Sequence, residues 1–125
     1  MSAYAARAYK KVDLESAPKS DILDRLFARF DQDVEKAATS LASKNIQDKA
    51  AALDHALQIV IELRAALDHG AAPELCANLA ALYDYVTEQI TATNLSLDAT
   101  PLTSARQVMA DLRDAFSQTN GQARR

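Results

Sequence analysis

Between Ile22 and Phe116 the apolar residues return every three or four positions, in four successive stretches. That spacing follows the 3.6-residue turn of an α-helix and lays one apolar stripe along each stretch. The first stripe carries Ile22, Leu23, Leu26, Phe27, Phe30, Val34, Ala37, Ala38 and Leu41, opposite Asp24, Arg25, Asp31, Asp33, Glu35 and Lys36. The second runs through Leu53, Leu57, Val60, Ile61 and Leu67, and Ile59 and Leu63 widen it. A face that broad predicts a central helix. The third is Leu75, Leu79, Leu82, Val86 and Ile90, and the fourth Leu102, Ala105, Val108, Met109, Leu112 and Phe116.

The breaks between stripes are chemically apt. Ser16 or Ser20 can cap the first helix, with Pro18 and Asp21 suited to its first turn. Ser43-Lys44-Asn45 forms a polar connector. The second helix ends at Asp68-His69-Gly70, where Gly70 suits the left-handed C′ position. Pro73 and Glu74 open the third, which closes near Thr93-Asn94, and the loop Leu95–Pro101 leads to the fourth. Composition agrees: 26 Ala stand against 2 Gly and 3 Pro, so turn signals are too sparse for a β-domain. The prediction is an all-α fold, an antiparallel four-helix bundle forming a single domain over residues 1–125. Residues 1–17, with Tyr4, Ala8, Tyr9 and Val12 loosely at helical spacing, read as an arm or short extra helix. Residues 117–125 are polar and read as a tail that frays.

Charge and hydropathy narrow the function. The net charge is −3, and no basic stripe exists to neutralise phosphates, which argues against nucleic acid. The longest apolar run is Leu79–Ala80–Ala81–Leu82–Tyr83, far short of the roughly 20 residues of a membrane span. Arg7, Lys10 and Lys11 are followed by no apolar h-region, so no secretory signal is expected and the location is cytoplasmic. The single Cys76 sits amid Leu75, Leu79 and Ala80 and reads as a buried, inert thiol. No Glu-x-x-His occurs, and His55 and His69 fall on a polar face and a helix end, which reads as solvated rather than metal-bound. No phosphate loop, metal site, cofactor or catalytic constellation is expected. Tyr83 and Tyr85 flank Asp84, so at least one of them edges out of the core, either packed at a helix boundary or lining a groove. Asn78 is either a buried amide fixing register or a group that bonds a partner's backbone.

The stretch Glu74-Leu75-Cys76-Ala77-Asn78-Leu79-Ala80-Ala81-Leu82-Tyr83-Asp84-Tyr85-Val86, continuing to Ile90, Ala92 and Asn94, resembles the third helix of the FliS family of flagellin export chaperones. That helix reads Asn-Leu-x-x-Leu-Tyr-Asp-Tyr and closes with Ala-Asn. Ala56, Ile59, Ile61, Glu62, Leu63 and the closing Leu67-Asp68 resemble the family's second helix approximately in phase, Leu112-Arg113-Asp114-Ala115-Phe116 its ending, with Phe for the usual Trp. Tyr9 and Val12 ahead of Ser16-Ala17-Pro18 resemble its N-terminal Tyr and Ala-Ser-Pro. The likeness spans Tyr4 to Phe116. One extra residue between Pro18 and Leu26, and Leu-Phe-Ala-Arg at Leu26 to Arg29 in place of Leu-Tyr-Asp-Gly, set the first helix apart.

The resemblance implies a cytoplasmic, ATP-independent chaperone, not an enzyme. Such a protein binds the C-terminal helical segment of flagellin, blocks its premature polymerisation and presents it to the flagellar type III export apparatus. It would lay client helices into apolar grooves. On matched positions, Tyr9, Asn78, Leu82, Tyr83, Tyr85 and Asn94 would line those grooves, with Ile59, Leu63 and Leu79 as supporting wall. The arm with Tyr4 and Tyr9 would occupy a groove until a client displaces it. The competing reading of the same periodicity is a helical adaptor or self-associating bundle, such as a homodimer.

Overall fold

A computed structural model describes residues 17–123, with side-chain surroundings for 21–116. The arm, Tyr9 included, and residues 124–125 lie outside the described residues. Four helices follow one another: α1 (Ala17–Ala42), α2 (Ile46–Ala65), α3 (Pro73–Leu95) and α4 (Thr100–Ala123). The links 43–45, 66–72 and 96–99 are short, which forces antiparallel neighbours. Each helix packs mainly on two others, α1 on α2 and α4, and α3 on the same two, closing a four-helix ring. The all-α bundle read from the spacing is the observed architecture.

The core is what the stripes supply. Leu23, Phe27, Phe30, Val34 and Ala37 of α1 meet Leu53, Ala56, Val60 and Leu63 of α2. Leu79, Val86 and Ile90 of α3 and Leu102, Ala105 and Met109 of α4 complete it. Burying each of the larger side chains contributes about 1.5–3 kcal/mol. Phe116 closes one end against Phe27, with ring centroids 6.4 Å apart and planes at 34°. The expectation of a central α2 does not hold: every helix has two principal neighbours, and Ile61 stands 49% exposed. Ile22 likewise leaves the first stripe, at 56% exposure.

The helix ends show how local chemistry places the links. α1 begins at Ala17, so Ser20 lies within it rather than at its start. At α2, Asn45 accepts from the Asp48 amide at 3.1 Å and donates its own side-chain amide to the Asp48 carboxylate at 2.7 Å. This reciprocal pairing satisfies an orphan N–H of the first turn. The chain reaches it through Lys44, whose φ of 62° is the left-handed conformation. Gly70 does not adopt that conformation; the stop after α2 is made instead by Asp68. Its carboxylate accepts from the Gly70 and Ala71 amides, and its carbonyl accepts from Ala71 and Ala72. Pro73 opens α3 as the spacing predicted, and α4 runs on across the polar stretch from Ser117 to Ala123.

Candidate partner-binding site

The rotation of α3 decides which of its side chains a partner could touch. Buried positions run Leu75, Cys76, Leu79, Ala80, Tyr83, Val86, Ile90 and Thr93. Tyr83, 0% exposed, therefore sits in the stripe where the sequence reading put Leu82, and Leu82 stands 38% exposed. Both choices obey the helical period: 79 to 83 to 86 steps four then three, and 79 to 82 to 86 steps three then four. Tyr83 is the largest of the fully buried side chains.

The same rotation fixes what lies on either flank. Successive residues turn by about 100°, so Asp84 and Leu82 flank Tyr83 on opposite sides. Asp84 meets Arg64 of α2 through two bonds, Nε at 2.8 Å and Nη2 at 3.2 Å. The guanidinium holds the Asp84 carboxyl below the usual carboxylate range, chiefly by that hydrogen bond. Leu82 consequently faces the α4 side. Asn78, Leu82, Tyr85 and Gln89 follow at steps of four, three and four, one strip along the outer face of α3. Tyr85 is 39% exposed, and Asn78 is exposed with its amide making no hydrogen bond among the described residues. This settles the two readings of Asn78 against a buried register amide. Val108 and Leu112 of α4, partly buried, pack against the core.

Tyr83, named from the sequence as a groove residue, is core at 0% exposure, and the three residues named as supporting wall, Ile59 at 4%, Leu63 at 0% and Leu79 at 3%, are core as well. A partner would reach them only by opening the bundle. Asn94 is exposed, but at the far end of α3, and its carbonyl is engaged by Lys49. The structure thus brings Asn78, Leu82 and Tyr85 together and leaves the others out.

The sequence reading missed Ile46, Ile61, Leu95 and Leu97 as surface. Of seven large apolar side chains exposed among the described residues, six lie on α2, α3 or the link after α3: Ile46, Ile61, Leu82, Tyr85, Leu95 and Leu97. The seventh is Ile22 of α1. The α2–α3 seam that carries Ile61 is also the least closely packed of the four. The α1 side is different. A cleft of about 170 Å³ floored by Phe27, Phe30 and Met109 opens between α1 and α4. Ion pairs span it, Arg106 with Asp31 at 2.7 Å and Arg113 with Asp24 at 3.1 Å. His55, expected to be merely solvated, bonds Asp33 of α1 through Nδ1 and meets Arg29 at 3.3 Å through Nε2. Cys76 is buried as expected, its thiol donating to the Asp68 carbonyl at 3.2 Å and pushed above the usual thiol range by burial. No group of three or more His, Cys, Asp or Glu side chains suited to a metal ion occurs among the described residues. No described helix is long and apolar enough to cross a membrane.

A closed helical bundle whose exposed large apolar side chains fall mostly on α2, α3 and the link after α3 is the class of protein the described residues define. The chain belongs to the FliS family: the family model described as "Flagellar protein FliS" matches residues 1–123. Three curated relatives, each named flagellar secretion chaperone FliS, agree. The Salmonella typhimurium protein is 28% identical over 98% of this chain and 94% of its own length. Those of Vibrio cholerae and Escherichia coli are each 29% identical, over 90% and 93% of this chain and 85% and 91% of their own.

Proposed function

We propose that this chain is a cytoplasmic flagellin chaperone, without catalytic activity, that holds the C-terminal helical segment of flagellin and prevents its premature polymerisation. It then presents that segment to the type III export apparatus. The observation that supports this most is the concentration of exposed apolar side chains on α2, α3 and the link that follows. A client helix lies along the Asn78, Leu82 and Tyr85 strip, its apolar face over Leu82 and Tyr85, and the Asn78 amide bonds its backbone or a polar side chain. Ile61, on the α2–α3 seam, takes a second client segment. A segment that orders on binding loses several kcal/mol of conformational freedom, so an extended apolar surface suits the task better than one small pocket.

The direct test is co-purification, followed by calorimetric titration, of the full chain with a C-terminal flagellin fragment. A stoichiometric complex in which the fragment no longer polymerises is the expected result. A fragment that stays unbound at micromolar concentrations, while the chain itself sediments as a dimer that buries Leu82 and Tyr85, would instead establish the self-associating adaptor.

A further inference from the structure

Lys49, in the first turns of α2, is 3% exposed. Its ammonium donates to two backbone carbonyls, Asn94 O and Ser96 O, each at 3.3 Å. These belong to the C-terminal end of α3 and the residue after it, where carbonyls lack intrahelical partners and the helix dipole is negative. Among the described residues no carboxylate pairs with Lys49. The rest of the link is equally fixed. Ser96 N–H donates to Thr93 O, Asp98 N–H to Ser96 Oγ at 3.2 Å, and Thr100 N–H to Asp98 Oδ1 at 2.9 Å. Between these anchored groups Leu95 and Leu97 stand 84% and 68% exposed, the most exposed of the large apolar side chains.

Stability alone does not explain this arrangement. Burying an ammonium carries a desolvation cost, which the two carbonyl bonds and the helix dipole largely offset, so the net contribution to stability is small. The held carbonyls of Asn94 and Ser96 immediately precede Leu95 and Leu97, so fixing them fixes the direction in which both exposed leucines leave the backbone. We propose that Lys49 is a positioning residue for client binding: by fixing Asn94 and Ser96 it holds Leu95 and Leu97 outward as the end anchor of the client surface. This rests on the chaperone reading above.

The test uses the full chain and the variants Lys49→Met, Lys49→Arg and Leu95→Ala/Leu97→Ala, with two readouts. The first is hydrogen exchange at the Ser96 and Asp98 amides, which needs no client. Lys49→Met should speed that exchange at least tenfold with an unchanged or raised melting temperature, and Lys49→Arg should largely preserve protection. The second is the dissociation constant for the flagellin fragment. It should weaken about tenfold in Lys49→Met and in the double-leucine variant, with no further loss when the two are combined. Unchanged exchange in Lys49→Met overturns the pin, and so do additive losses of affinity. Should Lys49→Met fail to fold, the double-leucine variant, altered only on the surface, decides by itself: unaltered affinity refutes the anchor. If the unsubstituted chain does not bind the fragment, the chaperone reading falls, and the exchange measurement still judges the pin.

Discussion

Tyr83 and Tyr85 are separated by one residue, yet truncating them should have opposite consequences. Tyr83→Ala empties the middle of the bundle and should cost about 3–5 kcal/mol of stability, read by denaturant unfolding. Tyr85→Ala removes a side chain that is 39% exposed, so the melting temperature should stay nearly constant. Its effect should appear in affinity for the flagellin fragment, weaker by about 1–2 kcal/mol as for an interface anchor. A Tyr85→Ala protein that melts early and binds normally would reassign the residue to the fold. Cys76 offers a second contrast. Its raised thiol pKa means the folded state favours the neutral form. That contribution is whole below the unfolded thiol pKa of about 8.5 and is lost as pH climbs above it. A thiol reagent at pH 8 should therefore leave the native protein unlabelled and react at once in denaturant.

Helices are set against one another by few polar contacts, each placed where a stripe ends. Arg64–Asp84 spans α2 and α3 at the surface, and Asp98 ties the start of α4 through the Thr100 amide. Both carboxylates titrate below the usual range, Asp84 because of the Arg64 hydrogen bond and Asp98 because of the Thr100 backbone hydrogen bond. A depressed carboxylate contributes stability that is complete above its unfolded pKa of about 3.9 and disappears as pH falls through the folded value. Acid unfolding of the double variant Asp84→Asn/Asp98→Asn should show a shallower loss of stability below about pH 4 than the unsubstituted chain. Parallel curves would mean that neither contact matters energetically, the usual finding for an isolated exposed ion pair.

At the scale of the whole molecule the two sides of the bundle are chemically unlike. Ion pairs link α1 to α4, and a His-centred cluster links it to α2, whereas among the described residues no ion pair crosses the α3–α4 seam. Client capture on the outer α3 surface should therefore be driven by apolar burial. Titration calorimetry at several temperatures should give a negative heat-capacity change. The dissociation constant should vary by less than about threefold between low and high salt, since exposed charges are what screening weakens. A strong salt dependence would move the client to the ion-paired side.

How much of this was legible beforehand follows from what a helical period can and cannot specify. Spacing of three and four, few breakers, the polar connector Ser43-Lys44-Asn45 and the opening Pro73 determined four helices, their approximate limits and their antiparallel order, because these depend on residues close in the chain. The ordered run from Asn78 to Tyr85 likewise carried the family. A period of 3.6 tolerates either of two adjacent positions in the stripe, so it could not choose between Leu82 and Tyr83. Only packing among four helices made that choice and buried Ile59, Leu63 and Leu79 in the core. Lys49 was invisible for a related reason: the carbonyls that justify burying it arrive from 45 and 47 residues away, and no local pattern announces them.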